Sequence, residues 1–141
     1  MNETRTAAMQ GRPSPAPVIR TLQLGMSWFP EQAGNGLDRV YHALIRHLPE
    51  VAVEARGLVA GSARVEMDSG GSVRAFAPEN APLGQRLSAA RRETTEALRT
   101  APCDLVASHF ALYAAPVWER LESRPFVVHF HGPWAAESAI V

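Results

Sequence analysis

The sequence predicts an α/β fold, a Rossmann-like doubly wound parallel sheet, on three observations. Short apolar runs alternate with stretches of helical periodicity along most of the chain, the order expected of βαβ crossovers. The first crossover passes through a glycine-rich turn, Gly34-Asn35-Gly36, straight into a helix. The last apolar run, Phe126 to Phe130, breaks into His131-Gly132-Pro133-Trp134. In an open α/β sheet both features lie at the carboxyl ends of strands, the edge where ligands bind.

Met1 to Pro17 is polar and carries Pro13, Pro15 and Pro17, so it reads as a disordered leader without the apolar centre of a secretory signal. The folded unit then spans residues 18–141. Val18 to Met26 is the first strand, with Leu22 and Leu24 alternating against Thr21 and Gln23. The following loop shows two aromatics, Trp28 and Phe29. Leu37, Val40, Tyr41, Leu44, Ile45 and Leu48 form one apolar stripe of a helix, with Asp38 in its first turn and Pro49 stopping it. Val51 to Ala60 is the second strand and Ser72 to Ala77 the third, after a turn at Asp68 to Ser72. Leu83 to Thr100 is a helix with a charged outer face. Asp104 to Ser108 is a fourth strand reaching His109, Ala115 to Glu122 a helix with Pro116 near its start, and Phe126 to Phe130 the fifth strand. Ala135 begins another helix, and stopping a few residues into it suggests a truncated domain.

A length of 141 residues fits one domain with a real core. Fourteen basic residues balance 14 acidic ones, which removes the electrostatic reason to expect nucleic acid or an anionic membrane as partner. All 14 basic residues are arginines, which excludes a Schiff-base lysine and the lysine of a phosphate-binding P-loop. Cys103 stands alone, so no intrachain disulfide forms and a cytoplasmic setting is expected. No run reaches the roughly 20 apolar residues of a membrane helix.

Gly34, Asn35 and Gly36 let the backbone approach a ligand, with free helix N–H groups favouring phosphate or carboxylate. A ligand-free tight turn fits the same residues. The third glycine of the dinucleotide fingerprint is missing, which disfavours a nicotinamide cofactor. His129 and His131 share a face of their strand. His129 reads as a core histidine. His131, beside Gly132 at the strand end, reads as a substrate contact, and His109 is balanced between the two. No carboxylate or cysteine stands at a spacing that would complete a metal site with them, so no metal is expected. Trp28 and Trp134 lie in the two loops expected to converge, where aromatic faces support sugar rings or plug the protein's own surface.

Three segments resemble the N-terminal, acceptor-side domain of GT-B glycosyltransferases of the family 4, or group 1, type. They are Gly34-Asn35-Gly36-Leu37-Asp38-Arg39-Val40, Asp104-Leu105-Val106-Ala107-Ser108-His109, and Val127 to Trp134. The first is similar to the family's Gly-Gly-x-Glu-Arg-Val, with Asn35 and Asp38 in place of the commoner Gly and Glu. The resemblance implies one half of a two-domain enzyme moving a sugar from a nucleotide sugar to an acceptor, a sugar or glycolipid-type molecule, with retention and without a cofactor. It implies that Gly34, Asn35 and Gly36 approach the donor diphosphate and that His131 contacts the donor sugar as the catalytic-site histidine. The family's donor-binding domain is absent from these residues, so the chain is expected to be inactive by itself and to need a separate donor domain. Two other readings stay open: a non-catalytic α/β ligand-binding module, and a truncated gene product without activity.

Overall fold

The computed structural model describes residues 15–32 and 35–131. Ile19–Leu24 (β1) is buried from Thr21 onward, and Val53–Ala60 (β2) runs parallel to it with Leu22 opposite Arg56 and Leu24 opposite Leu58. Val73–Ala77 (β3) extends the sheet beyond β2, with a register shift at Val59/Ala60. On the other side of β1 lies Leu105–Ser108 (β4), with Leu24 opposite Ser108, and then Phe126–Val128 (β5). The order is β3-β2-β1-β4-β5, every pairing parallel. This is the Rossmann-like doubly wound sheet expected, and its strand order reverses between β1 and β4.

Gly36–His47 (α1) forms because Tyr41 and Ile45 bury one face, and Asn35 caps its start. Asp38 sits in the first turn, and Arg46 and His47 in the last, each sign matched to the helix dipole. A 3-10 turn over Leu48–Val51 ends it, and Ala52 takes the left-handed conformation at φ 59°. Leu83–Thr100 (α3) covers the opposite sheet face through Ala89, Ala90, Thr94 and Ala97, small side chains that let the helix lie close. Two cores result. Leu22, Leu24, Leu58 and Val106 pack against α3, whereas Trp28, Tyr41, Ile45, Val59 and Val73 pack on the α1 side.

The sequence pattern missed Arg64–Asp68 (α2), five residues long with only Val65 buried, too short for periodicity to show. The helix expected over Ala115 to Glu122 begins earlier and in pieces. Ala111–Ala114 (α4) leads to a 3-10 turn at Ala115–Val117 and then to Trp118–Leu121 (α5). Pro116 has no N–H to continue the α-helical ladder, so the chain tightens at that residue. The helix expected from Ala135 lies outside the described residues. Among those described, no helix is long and apolar enough to cross a membrane.

Candidate functional site at the strand carboxyl ends

The site begins with β1, whose side chains alternate between the two cores. Leu22 and Leu24 face α3, which leaves Thr21 and Gln23, both buried, on the α1 face. Polar groups there need partners. Thr21 Oγ1 donates to the Glu54 carbonyl at 2.9 Å, and Gln23 Nε2 donates to Thr21 Oγ1 at 2.9 Å. Gln23 Oε1 lies 2.9 Å from Nε2 of His109, the residue that follows β4. His109 is 2 % exposed, and its backbone N–H donates to the Leu24 carbonyl at 2.8 Å, which stitches β4 to β1 at the switch point.

His131 meets this row from the chain beyond β5. Its Nε2 lies 3.3 Å from His109 Nδ1. His129 stacks on His109 with ring centroids 4.2 Å apart and planes 11° from parallel, and its backbone N–H donates to the Ser108 carbonyl at 2.8 Å. Burial, with His129 and His131 adding repulsion, lowers the His109 pKa to about 3, so its ring is neutral at physiological pH. His131 is shifted the same way, mainly by burial. Among the described residues no group of three or more His, Cys, Asp or Glu is placed to hold a metal ion.

Tyr41 links α1 to the row. Its hydroxyl donates to the Gln23 carbonyl at 2.9 Å, and its ring stands edge-on to His109 at 5.1 Å. Room for that ring comes from two glycines outside the predicted turn: a Cβ on Gly25 would meet the ring at 2.8 Å, and one on Gly57 would collide with its hydroxyl.

The glycine turn itself is described from Asn35 onward; Gly34 and Trp134 lie outside the described residues. Asn35 Oδ1 accepts the Asp38 N–H at 2.8 Å, and Asn35 Nδ2 donates to Asp38 Oδ2 at 2.8 Å. Asp38 Oδ1 accepts the Ser27 N–H at 3.0 Å, which ties the end of the β1 loop to the helix start. Asp38 is fully buried, and burial raises its pKa against the lowering effect of those two donors. Gly36 is exposed, and a Cβ there would meet nothing within 4 Å.

Trp28 departs from the expected loop position. Its side chain is 1 % exposed, packed in the α1-side core and edge-on to His42 at 4.8 Å. The loop turns back so that this large apolar ring leaves water, and Trp28 therefore offers no face to a sugar at the sheet edge. Phe29 is half-buried under the Arg39 guanidinium, 4.7 Å from the ring centroid. His42 is half-buried between these two aromatics.

Two surface hollows lie elsewhere. One of about 560 Å³ follows the outer face of α3 near Arg91, Arg92 and Glu96; another of about 480 Å³ lies beside Trp28, His42, Arg46 and Asp68. The histidine cluster lines neither of them.

The fold and site define a class: a doubly wound α/β domain with a polar, histidine-bearing carboxyl edge at its topological switch point. Comparison with family models, with curated proteins and with solved structures returns no match. Gln23, Thr21 and Tyr41 are the site residues that sequence reasoning missed. The available signal was Thr21 and Gln23 themselves, because a strand buried on both faces should be apolar throughout.

Proposed function

We propose that this chain is the acceptor-side domain of a retaining GT-B-type glycosyltransferase, holding a sugar or glycolipid-type acceptor at the carboxyl edge of β1, β4 and β5. The observation that carries this reading is the position of His131, hydrogen-bonded to His109 at the point where the strand order reverses. The α1 amino end, at Gly36, follows β1, the strand next to β4. Both features expected from the sequence therefore belong to the same sheet edge, where ligands of such folds bind.

In the transfer, the bond from the anomeric carbon to the diphosphate breaks as the acceptor hydroxyl oxygen bonds to that carbon. The hydroxyl proton leaves with the phosphate. Such chemistry needs an oriented acceptor and stabilised leaving-group charge more than a strong base. Neutral His131 suits orientation of a hydroxyl, and the first amides of α1 suit a phosphate oxygen. The nucleotide-sugar donor is co-substrate, and a donor-binding domain supplies the opposite wall.

Saturation-transfer NMR with a panel of nucleotide sugars and simple glycosides tests the reading. Binding that disappears in His131→Ala, with unchanged melting, is the expected result; binding indifferent to His131 or to Gly36→Val, or no sugar binding at all, would overturn it. Sugar binding that never leads to transfer when candidate donor domains are added would instead mark a non-catalytic binding module.

A further inference from the structure

We infer that the buried row Glu54 carbonyl, Thr21, Gln23, His109, His131 is a polarised hydrogen-bond relay, in which Thr21 and Gln23 are positioning residues that fix the tautomers of both histidines. The polarity starts at its inner end. A backbone carbonyl only accepts, so the Thr21 hydroxyl, 2.9 Å from the Glu54 oxygen, spends its single proton there. Thr21 Oγ1 can then only accept, and the group 2.9 Å away must be the Gln23 amide nitrogen. That turns Gln23 Oε1 toward His109, 2.9 Å from Nε2, so Nε2 carries the proton. A neutral His109 protonated on Nε2 has a bare Nδ1, and His131 Nε2 at 3.3 Å must be the donor to it.

Each step follows from the one before, and the last sets what the site offers. His131 spends its N–H inward, so its Nδ1 carries a lone pair. A neutral His131 therefore takes a hydrogen-bond donor, such as a ligand hydroxyl, and repels the oxygen of a phosphate or carboxylate. The relay has a reason to be buried: Thr21 and Gln23 are 2 % and 4 % exposed, and a buried amide holds its orientation only when both ends are partnered. Tyr41 adds a second restraint by donating to the Gln23 carbonyl without competing for its side chain.

The relay rests on the proposed reading only for the identity of the ligand, and its test requires no sugar. Long-range ¹H–¹⁵N correlation of the imidazole rings in the full chain near neutral pH should show His109 and His131 each as a single Nε2–H tautomer, with Nδ1 unprotonated. Thr21→Val frees the Gln23 amide to turn over, so His109 should become a tautomer mixture and His131 should lose its preference. Thr21→Ser should restore the wild-type pattern. Finding His109 protonated on Nδ1 in the wild-type protein, or tautomers unmoved by Thr21→Val, overturns the relay. The wild-type spectrum alone decides if Thr21→Val does not fold. Correct tautomers without sugar binding would count against the transferase reading and leave the relay intact.

Discussion

Asn35 and Asp38 hold each other across the first turn of α1, the amide accepting the Asp38 N–H while its own nitrogen donates to the Asp38 carboxylate, both at 2.8 Å. These are the two positions where the chain departs from the motif that its glycine turn resembles. They are partners: Asn35 caps the third helical N–H as in a capping box, but Asp38 answers to the Asn35 side-chain amide and not to its backbone N–H. The buried carboxylate is thereby supplied with donors on both oxygens, since Ser27 N–H serves the other.

Asn35→Ala should therefore cost more than an ordinary cap. Loss of the cap costs about 0.5–2 kcal/mol, and Asp38 would also lose one of its two donors while remaining buried, which raises its pKa further. Asn35→Asp should be worse near neutral pH, because it sets a second carboxylate against the first, and its deficit should shrink on acidification. Urea denaturation of the three proteins at two pH values, with ¹³C titration of the Asp38 carboxyl, checks this. Equal stability of Asn35→Ala and wild type would show that the pair does not hold the helix start.

At Gly36 the expectation is the opposite. Because Gly36 is helical and a Cβ there meets nothing within 4 Å, Gly36→Ala should not destabilise the fold and can add up to about 1 kcal/mol. Any loss of ligand binding would then report a ligand at the turn and not damage to the fold. Thermal melting alongside sugar and pyrophosphate titration separates the two, and a large drop in melting temperature would contradict the open surroundings of Gly36.

How far the sequence reveals all this depends on which signals are local. α1 and α3 were legible because long amphipathic periods report a buried stripe whatever lies beneath. The sheet edge was legible because the glycine turn marks the first crossover, whereas the fifth strand, expected to run to Phe130, ends at Val128. Trp28 was misplaced because nothing local says whether a loop ring faces a ligand or folds back beside His42. The roles of Gly25 and Gly57 were invisible for a related reason. Their use depends on Tyr41, 16 residues from each, and only pairing of β1 with β2 brings the three together. Thr21 and Gln23 passed as ordinary strand alternation, although in a sheet covered on both faces their polarity marks a buried face carrying its own hydrogen-bond network.

That cradle gives a packing test. Gly25→Ala forces its methyl into the Tyr41 ring, 2.8 Å away at the nearest carbon, at an expected cost of about 1–3 kcal/mol. Tyr41→Leu alone leaves a gap and removes the hydroxyl bond to the Gln23 carbonyl, a loss of about 2–4 kcal/mol. The double variant should cost less than the sum, since the shorter side chain leaves space for the methyl. A double-mutant cycle by chemical denaturation reads the coupling, and strict additivity would mean that the glycine is not there for the ring.

The neutral state of His109 makes stability depend on pH in one direction. In the unfolded chain its imidazole titrates near the ordinary value of about 6.5, whereas in the folded protein it resists protonation down to about 3. Between those values the unfolded chain binds the extra proton, so the stabilisation is complete above about pH 6.5 and is lost on acidification, by at most about 1.4 kcal/mol per pH unit. His131, lowered by burial, adds to the same trend. Asp104, whose pKa is held down by Arg20, adds to it only below about pH 4, where carboxylates titrate. Asp38 opposes it, because a raised carboxyl pKa favours the folded state as pH falls. Substitution separates these contributions. His109→Gln keeps a donor for Gln23 and cannot take up a proton, so its stability should fall less between pH 7 and 5 than that of the wild type. Parallel slopes for the two proteins across that interval would show that His109 is not held neutral by its position between Gln23, Tyr41 and the two neighbouring imidazoles.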